Sequence, residues 1–185
     1  PGACIPQFVV SLPVFGPAGP IPRVNADFHP ALTVTIKEID QAVLPQGLSD
    51  TCTGLVTFGK TRVWTYETTS SFTNKVLGPA NWPAVTVETH RYKPTLMKYV
   101  NALPSFNPAN PAGPGMLQGL ISGDKTLDWA DPNNPPMMNP CANNPLGAGC
   151  NQPYAGPPPA VAHLHGSEIS SLYDGGPQAW MTPDG

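Results

Sequence analysis

The sequence predicts an all-β chain, a sandwich or barrel of short strands. Three observations carry this. Twenty-six of the 185 residues are proline, about three times the usual ~5%, and proline breaks helices by removing a donor and crowding the preceding turn. Several short segments alternate apolar and polar residues with the period of two that a half-buried strand needs. No stretch repeats its apolar residues at the spacing of an amphipathic helix. Short strands separated by turn signals, without helices between them, indicate a sandwich or barrel. Apolar residues make up 40% of the chain and fall in alternating clusters, which argues against disorder throughout.

Residues 1–30 are expected to form an arm, because Pro6, Pro13, Pro17, Pro20, Pro22 and Pro30 interrupt any regular element. Its apolar pieces, Phe8-Val9-Val10 and Leu12-Pro13-Val14-Phe15, are expected to dock on a larger surface. A domain is expected from 31 to 185. Leu32-Thr33-Val34-Thr35-Ile36-Lys37 alternates cleanly and predicts a half-buried strand. Pro45, Gly47 and Asp50 mark a turn region, and Gly54 to Phe58 is a second, short strand candidate. Arg62-Val63-Trp64-Thr65-Tyr66 is a third, rich in strand-favouring residues. Gly78-Pro79 and Trp82-Pro83 predict an extended bend, followed by strands over Ala84–Glu88 and Thr95–Asn101. From 105 to 159 prolines, glycines and asparagines dominate; a loop of that length predicts an ordered surface excursion or insertion. Pro157-Pro158-Pro159 stiffens the approach to a last predicted strand, and a loop with Asp174, Gly175, Gly176, Pro177 and Trp180 follows.

The charge balance excludes some partners. A net charge of −3 with only 11% charged residues provides no basic patch, so nucleic acid is not an expected partner. No apolar run approaches the roughly 18–20 residues of a membrane span. Pro1-Gly2-Ala3-Cys4 has neither an initiator methionine nor a signal-peptide pattern, so the sequence reads as processed, trimmed or partial. Cys4, Cys52, Cys141 and Cys150 form no CxxC. A disulfide between Cys141 and Cys150 would staple the long loop, and one between Cys4 and Cys52 would tie down the arm, one of three connectivities open to four cysteines. An even count in a weakly charged, proline-rich chain points to an exported protein.

The chemistry concentrates in Ala162-His163-Leu164-His165-Gly166, which holds two of only four histidines. On a strand, His163 and His165 would share one face with Val161, while Ala162 and Leu164 would take the other. Two imidazoles aimed into one space form a metal-ligand pair. Spacing alone leaves zinc open, although no glutamate or third histidine stands at a telling distance. His29 and His90 have no neighbouring ligand residue and read as surface or hydrogen-bonded side chains. Met137-Met138 could offer soft sulfur to copper, but without a repeat it reads as loop packing. Trp64 and Trp180 read as core residues.

Five segments resemble the first cupredoxin domain of the multicopper oxidases, in particular the spore-coat-type bacterial laccases and their bilirubin-oxidase relatives. Phe8-Val9-Val10-Ser11-Leu12-Pro13 resembles the family's amino-terminal arm. Thr61–Tyr66 resembles one of its strands, Gly78-Pro79 through Val85-Thr86-Val87 another with Asn81-Trp82-Pro83 inserted, and Lys98–Pro104 a third segment, lys-trp-x-asn-asn-leu-pro. The closest likeness is His163-Leu164-His165-Gly166, then Asp174-Gly175, then Pro177-Gln178-Ala179-Trp180, against the family's his-leu-his-gly … asp-gly-x-pro-x-ala-trp. About half of the chain takes part, and the 105–159 loop exceeds the family's usual length.

The resemblance implies a cupredoxin-like Greek-key β-sandwich and a copper oxidase that reduces dioxygen to water. It implies that His163 binds type 2 copper, that His165 binds one of the type 3 pair, and that Asp174 assists proton delivery. It also implies that type 1 copper belongs to the family's last domain, outside this chain; neither Cys141 nor Cys150 has the neighbouring histidine of a type 1 ligand. The family's trinuclear cluster takes four HxH pairs and this sequence holds one. The implied partners are therefore the remaining cupredoxin domains, in the same protein or in a companion chain, together with dioxygen and a small reducing substrate or metal ion. A second reading is a cupredoxin module without turnover, used for copper binding or extracellular assembly.

Overall fold

Strand β2, Ala31–Gln41, is the longest element of the computed structural model, which describes residues 4–11, 13–14, 21–117, 158–166, 168–176 and 179–183. Its alternation works as the sequence implies: Leu32, Val34 and Ile36 are buried and the threonines between them are half-buried. Antiparallel β3, Thr61–Ser70, sets Ser70 opposite Leu32, Thr68 opposite Val34 and Tyr66 opposite Ile36. Small buried hydroxyl side chains thus fill the β3 side of this part of the core.

Towards the far end of the pair, charge replaces apolar packing. Arg62 grips Asp40 with two hydrogen bonds, at 2.8 and 2.9 Å, across the register pair Asp40–Arg62. The Trp64 indole donates to Glu38 at 3.0 Å, again across a register pair. The Arg62 guanidinium holds the Asp40 carboxyl below its ordinary range, against the opposing effect of desolvation. Trp64 is half-buried here and is not part of the apolar core.

Strands β4 (Val76–Asn81), β5 (Thr86–Glu88) and β6 (Leu96–Asn101) follow. One sheet has the order β4-β3-β2-β6. The other pairs β5 in parallel with β1, Arg23–Asn25. A short 3-10 turn covers Ser171–Tyr173. The fold is all-β, as predicted, and among the described residues no helix is long and apolar enough to cross a membrane. The chain divides into two compact units, Pro1–Val100 and Asn101–Gly185.

Several expectations need correction. The prolines of residues 1–30 do not prevent regular structure: β1 lies among them, with Ile21, Val24 and Ala26 buried. Its strand is held by a distant partner, β5, and by an Arg23–Glu88 ion pair at 2.8 Å. The arm's apolar pieces do not dock where described, since Phe8 is fully exposed and Val9, Val10 and Val14 are exposed; Leu12 and Phe15 lie outside the described residues.

Gly54 to Phe58 makes only an isolated bridge, Ser49 with Thr57. Gly54 takes φ +67°, and the Asp50 carboxylate accepts from the N–H groups of Cys52, Thr53 and Val56. These side-chain bonds compete with a strand ladder. They also hold the Asp50 carboxyl far below its ordinary range, those from Thr53 and Val56 foremost. Gly78-Pro79 belongs to β4 and not to a bend. That strand pairs only with β3 in its sheet, and an edge tolerates a residue without an N–H. The bend itself is at Trp82-Pro83, a cis peptide.

Cys4 and Cys52 form a disulfide, which ties the start of the chain to the Asp50 turn. The suggested Cys141–Cys150 staple, Met137-Met138 and most of the 105–159 excursion lie outside the described residues.

Candidate metal centre

His163, His165 and Asp174 all lie in one loop whose base is a single antiparallel bridge. Ala160 and Met181 exchange both backbone hydrogen bonds, at 3.0 and 2.9 Å. Pro158, just before the bridge, is fully buried. Beyond it the chain is irregular over 161–164 and turns at 165–166, where Gly166 takes φ +73°. The predicted strand beneath the histidines is therefore not formed. Gly166 takes a left-handed conformation that ends extended structure.

The return path brings Asp174 back onto His163. Ser170 caps the 3-10 turn by accepting from the Leu172 N–H, and Asp174 follows this turn directly. Gly175 then takes φ +71° against the backbone of Ala162 and His163. A Cβ there would overlap the Ala162 carbonyl, so the close approach requires glycine.

The consequence is a defined contact at one ring nitrogen. Nδ1 of His163 meets the main-chain carbonyl of Asp174 and lies 3.4 Å from its carboxylate. A carbonyl only accepts, so Nδ1 carries the proton and Nε2 carries the lone pair. Metal-binding histidines are characteristically oriented in this way, by a carbonyl or carboxylate on the other ring nitrogen. The ring and the acid are both accessible, with side-chain exposures of 45% and 52%.

The two imidazoles stand edge to face with centroids 6.1 Å apart and planes at 89°. With metal–nitrogen bonds of about 2.0–2.1 Å, two rings on one tetrahedral ion would have centroids about 5.2 Å apart. The observed separation is wider than that, and a single ion with a more open N–metal–N angle would span it as well as two neighbouring ions would. Among the described residues, no group of three or more His, Cys, Asp or Glu side chains is arranged to hold a metal ion. Imidazole nitrogens suit copper, as they also suit zinc, iron and nickel.

The other histidines take structural places. His90 Nδ1 and Lys93 Nζ both reach the same Asp27 oxygen, at 2.8 and 3.0 Å. The hydrogen bond from Lys93 is the main reason that the Asp27 carboxyl is held below its ordinary range. His29 is half-buried, with its backbone N–H in a turn to Ala26. Trp180 is also half-buried.

Asn101 was not singled out by the sequence as a site residue, although it lies within the quoted Lys98–Pro104 segment. Its buried carboxamide contacts the main chain at both ends of the histidine loop, at Pro158 and Met181. No local periodicity announces such a contact, because its partners are 57 and 80 residues away.

No family model, curated protein or solved structure matches the chain.

Proposed function

We propose that the chain is the amino-terminal, cupredoxin-like part of an exported multicopper oxidase of the laccase type. Such an enzyme takes single electrons from a small reductant or metal ion and reduces dioxygen to water. The observation that carries the reading is the convergence of His163, His165 and Asp174 in one loop, with Asp174 fixing the proton on His163 Nδ1. The three residues are those that the his-leu-his-gly and asp-gly likeness singles out.

His163 is the ligand for type 2 copper and His165 for one type 3 copper, an assignment that rests on the his-leu-his-gly likeness. When bound, copper supplies one-electron redox chemistry to the site. The protein's own contribution is to hold Nε2 of His163 as a lone-pair donor and to keep a solvent-accessible carboxylate beside it. That carboxylate can exchange protons with water and carry them towards the site. The remaining ligands come from further cupredoxin domains or a companion chain. The Cys4–Cys52 disulfide supports export, and the all-β sheets support the Greek-key cupredoxin sandwich.

The test is metal analysis of the intact protein together with reductant-dependent oxygen uptake. Copper in stoichiometric amounts and uptake that stops on chelation are expected. Stoichiometric zinc in place of copper would defeat the proposal, and so would copper without any oxygen uptake, the behaviour of a binding module.

A further inference from the structure

Asn101 is 5% exposed, and among the described residues its amide makes three hydrogen-bonding contacts, all to main chain. Its nitrogen donates to the Pro158 carbonyl at 2.7 Å and to the Met181 carbonyl at 2.9 Å. Its oxygen accepts from the Leu103 N–H at 3.0 Å. The partners fix which end of the amide is which, because carbonyls only accept and an N–H only donates. Pro158 precedes the bridge residue Ala160, and Met181 is its partner. One side chain thus clasps the main chain where the loop of His163, His165 and Asp174 begins and where it ends.

Few other side chains can fill this role. Aspartate would set an oxygen against two carbonyl oxygens. Serine offers a single donor, and leucine leaves both carbonyls without this partner. Glutamine displaces the amide by one methylene.

We propose that Asn101 is a positioning residue for the His163–His165 site. By fixing the entry and exit of the loop, it sets the path that brings the Asp174 carbonyl onto His163 Nδ1. Nε2 of His163 is thereby kept as the lone-pair nitrogen. The functional consequence rests on the copper reading of the two histidines, whereas the positioning can be read without any metal.

The experiment compares imidazole nitrogen resonances of His163 in the labelled full chain and in Asn101→Ser and Asn101→Asp. Leu32→Val, a core change outside the loop, is the control for simple loss of stability. In the unmodified chain and in the control, the neutral His163 ring is expected as the Nδ1–H tautomer. In an Asn101 variant that still melts cooperatively, both tautomers are expected, with Cu(II) affinity lowered about 10–100-fold. The wild-type tautomer retained in a folded Asn101 variant overturns the proposal, and so does an Nε2–H ring in the unmodified chain.

If neither variant folds, hydrogen exchange in the unmodified chain decides. The Asn101 carboxamide and the Met181 N–H are expected to be protected to within about tenfold of each other, as parts of one opening unit. A carboxamide that exchanges faster than that relative to Met181 overturns the clasp. An unmodified chain that binds no Cu(II) counts against the copper reading alone, since the tautomer comparison still decides the role of Asn101.

Discussion

Replacing Asp174 with asparagine is expected to leave bound copper unchanged and to slow dioxygen reduction by about 10²–10⁴-fold. The separation of the two effects follows from the two contacts that Asp174 makes with His163. Its main-chain carbonyl fixes the proton on His163 Nδ1, and asparagine keeps that carbonyl. Its carboxylate, 3.4 Å from the same nitrogen and half exposed, is the only part that the substitution removes. Copper per chain and kcat for oxygen uptake at saturating reductant are the two measurements. Loss of copper together with activity would make the carboxylate a structural element of the ligand set. Unchanged turnover would show that protons arrive by another route.

The second large effect is expected in the core. Leu32→Ala should cost about 2–5 kcal/mol, the range for removing a fully buried leucine side chain. Leu32 is 0% exposed in β2, with Ser70 opposite it, and neither this short side chain nor the backbone can expand to fill the space. Against typical domain stabilities of about 5–15 kcal/mol, the loss is a large fraction of the total. It should appear as a lower urea midpoint at unchanged slope. Leu55→Ala, at an exposed position in the Asp50 loop, should change stability by no more than about 0.5 kcal/mol. Equal effects at the two positions would contradict the core described above.

What the sequence reveals follows from how local each signal is. The alternation of Leu32, Val34 and Ile36 marks β2 because one face is buried and the period is intact. Thr61–Ser70 is legible through its strand-favouring residues at Arg62–Tyr66, with its ends extended by pairing, and Leu96–Asn101 falls within the expected Thr95–Asn101. Strand β1 is not legible. It is three residues long, sits between Pro22 and Pro30, and owes its formation to β5 more than 60 residues later. Strand β4 is hidden by Gly78-Pro79, a turn-like dipeptide that an edge strand accommodates.

The candidate site shows the same division. Spacing singles out His163 and His165, the family likeness adds Asp174, and the structure brings these three together. The period-two argument used to align the histidines does not describe their backbone, which is a loop held by one bridge. Asp174 meets His163 because the chain is pinned at Ala160 and Met181 and folded back at Gly175. Asn101 and Gly175 act through backbone contacts with distant residues, and neither hydropathy nor ligand spacing can signal that.

The most direct test of the copper reading is the copper count and Cu(II) electron paramagnetic resonance spectrum of the intact protein, His163→Ala and His165→Ala. Both histidines are exposed, so each substitution should leave the fold stable to within about 0.5 kcal/mol. The expected result is that each variant keeps its thermal midpoint and loses bound copper, and that His163→Ala loses the type 2 Cu(II) signal. Wild-type copper content and an unaltered spectrum in both variants would contradict the assignment of His163 and His165 as copper ligands.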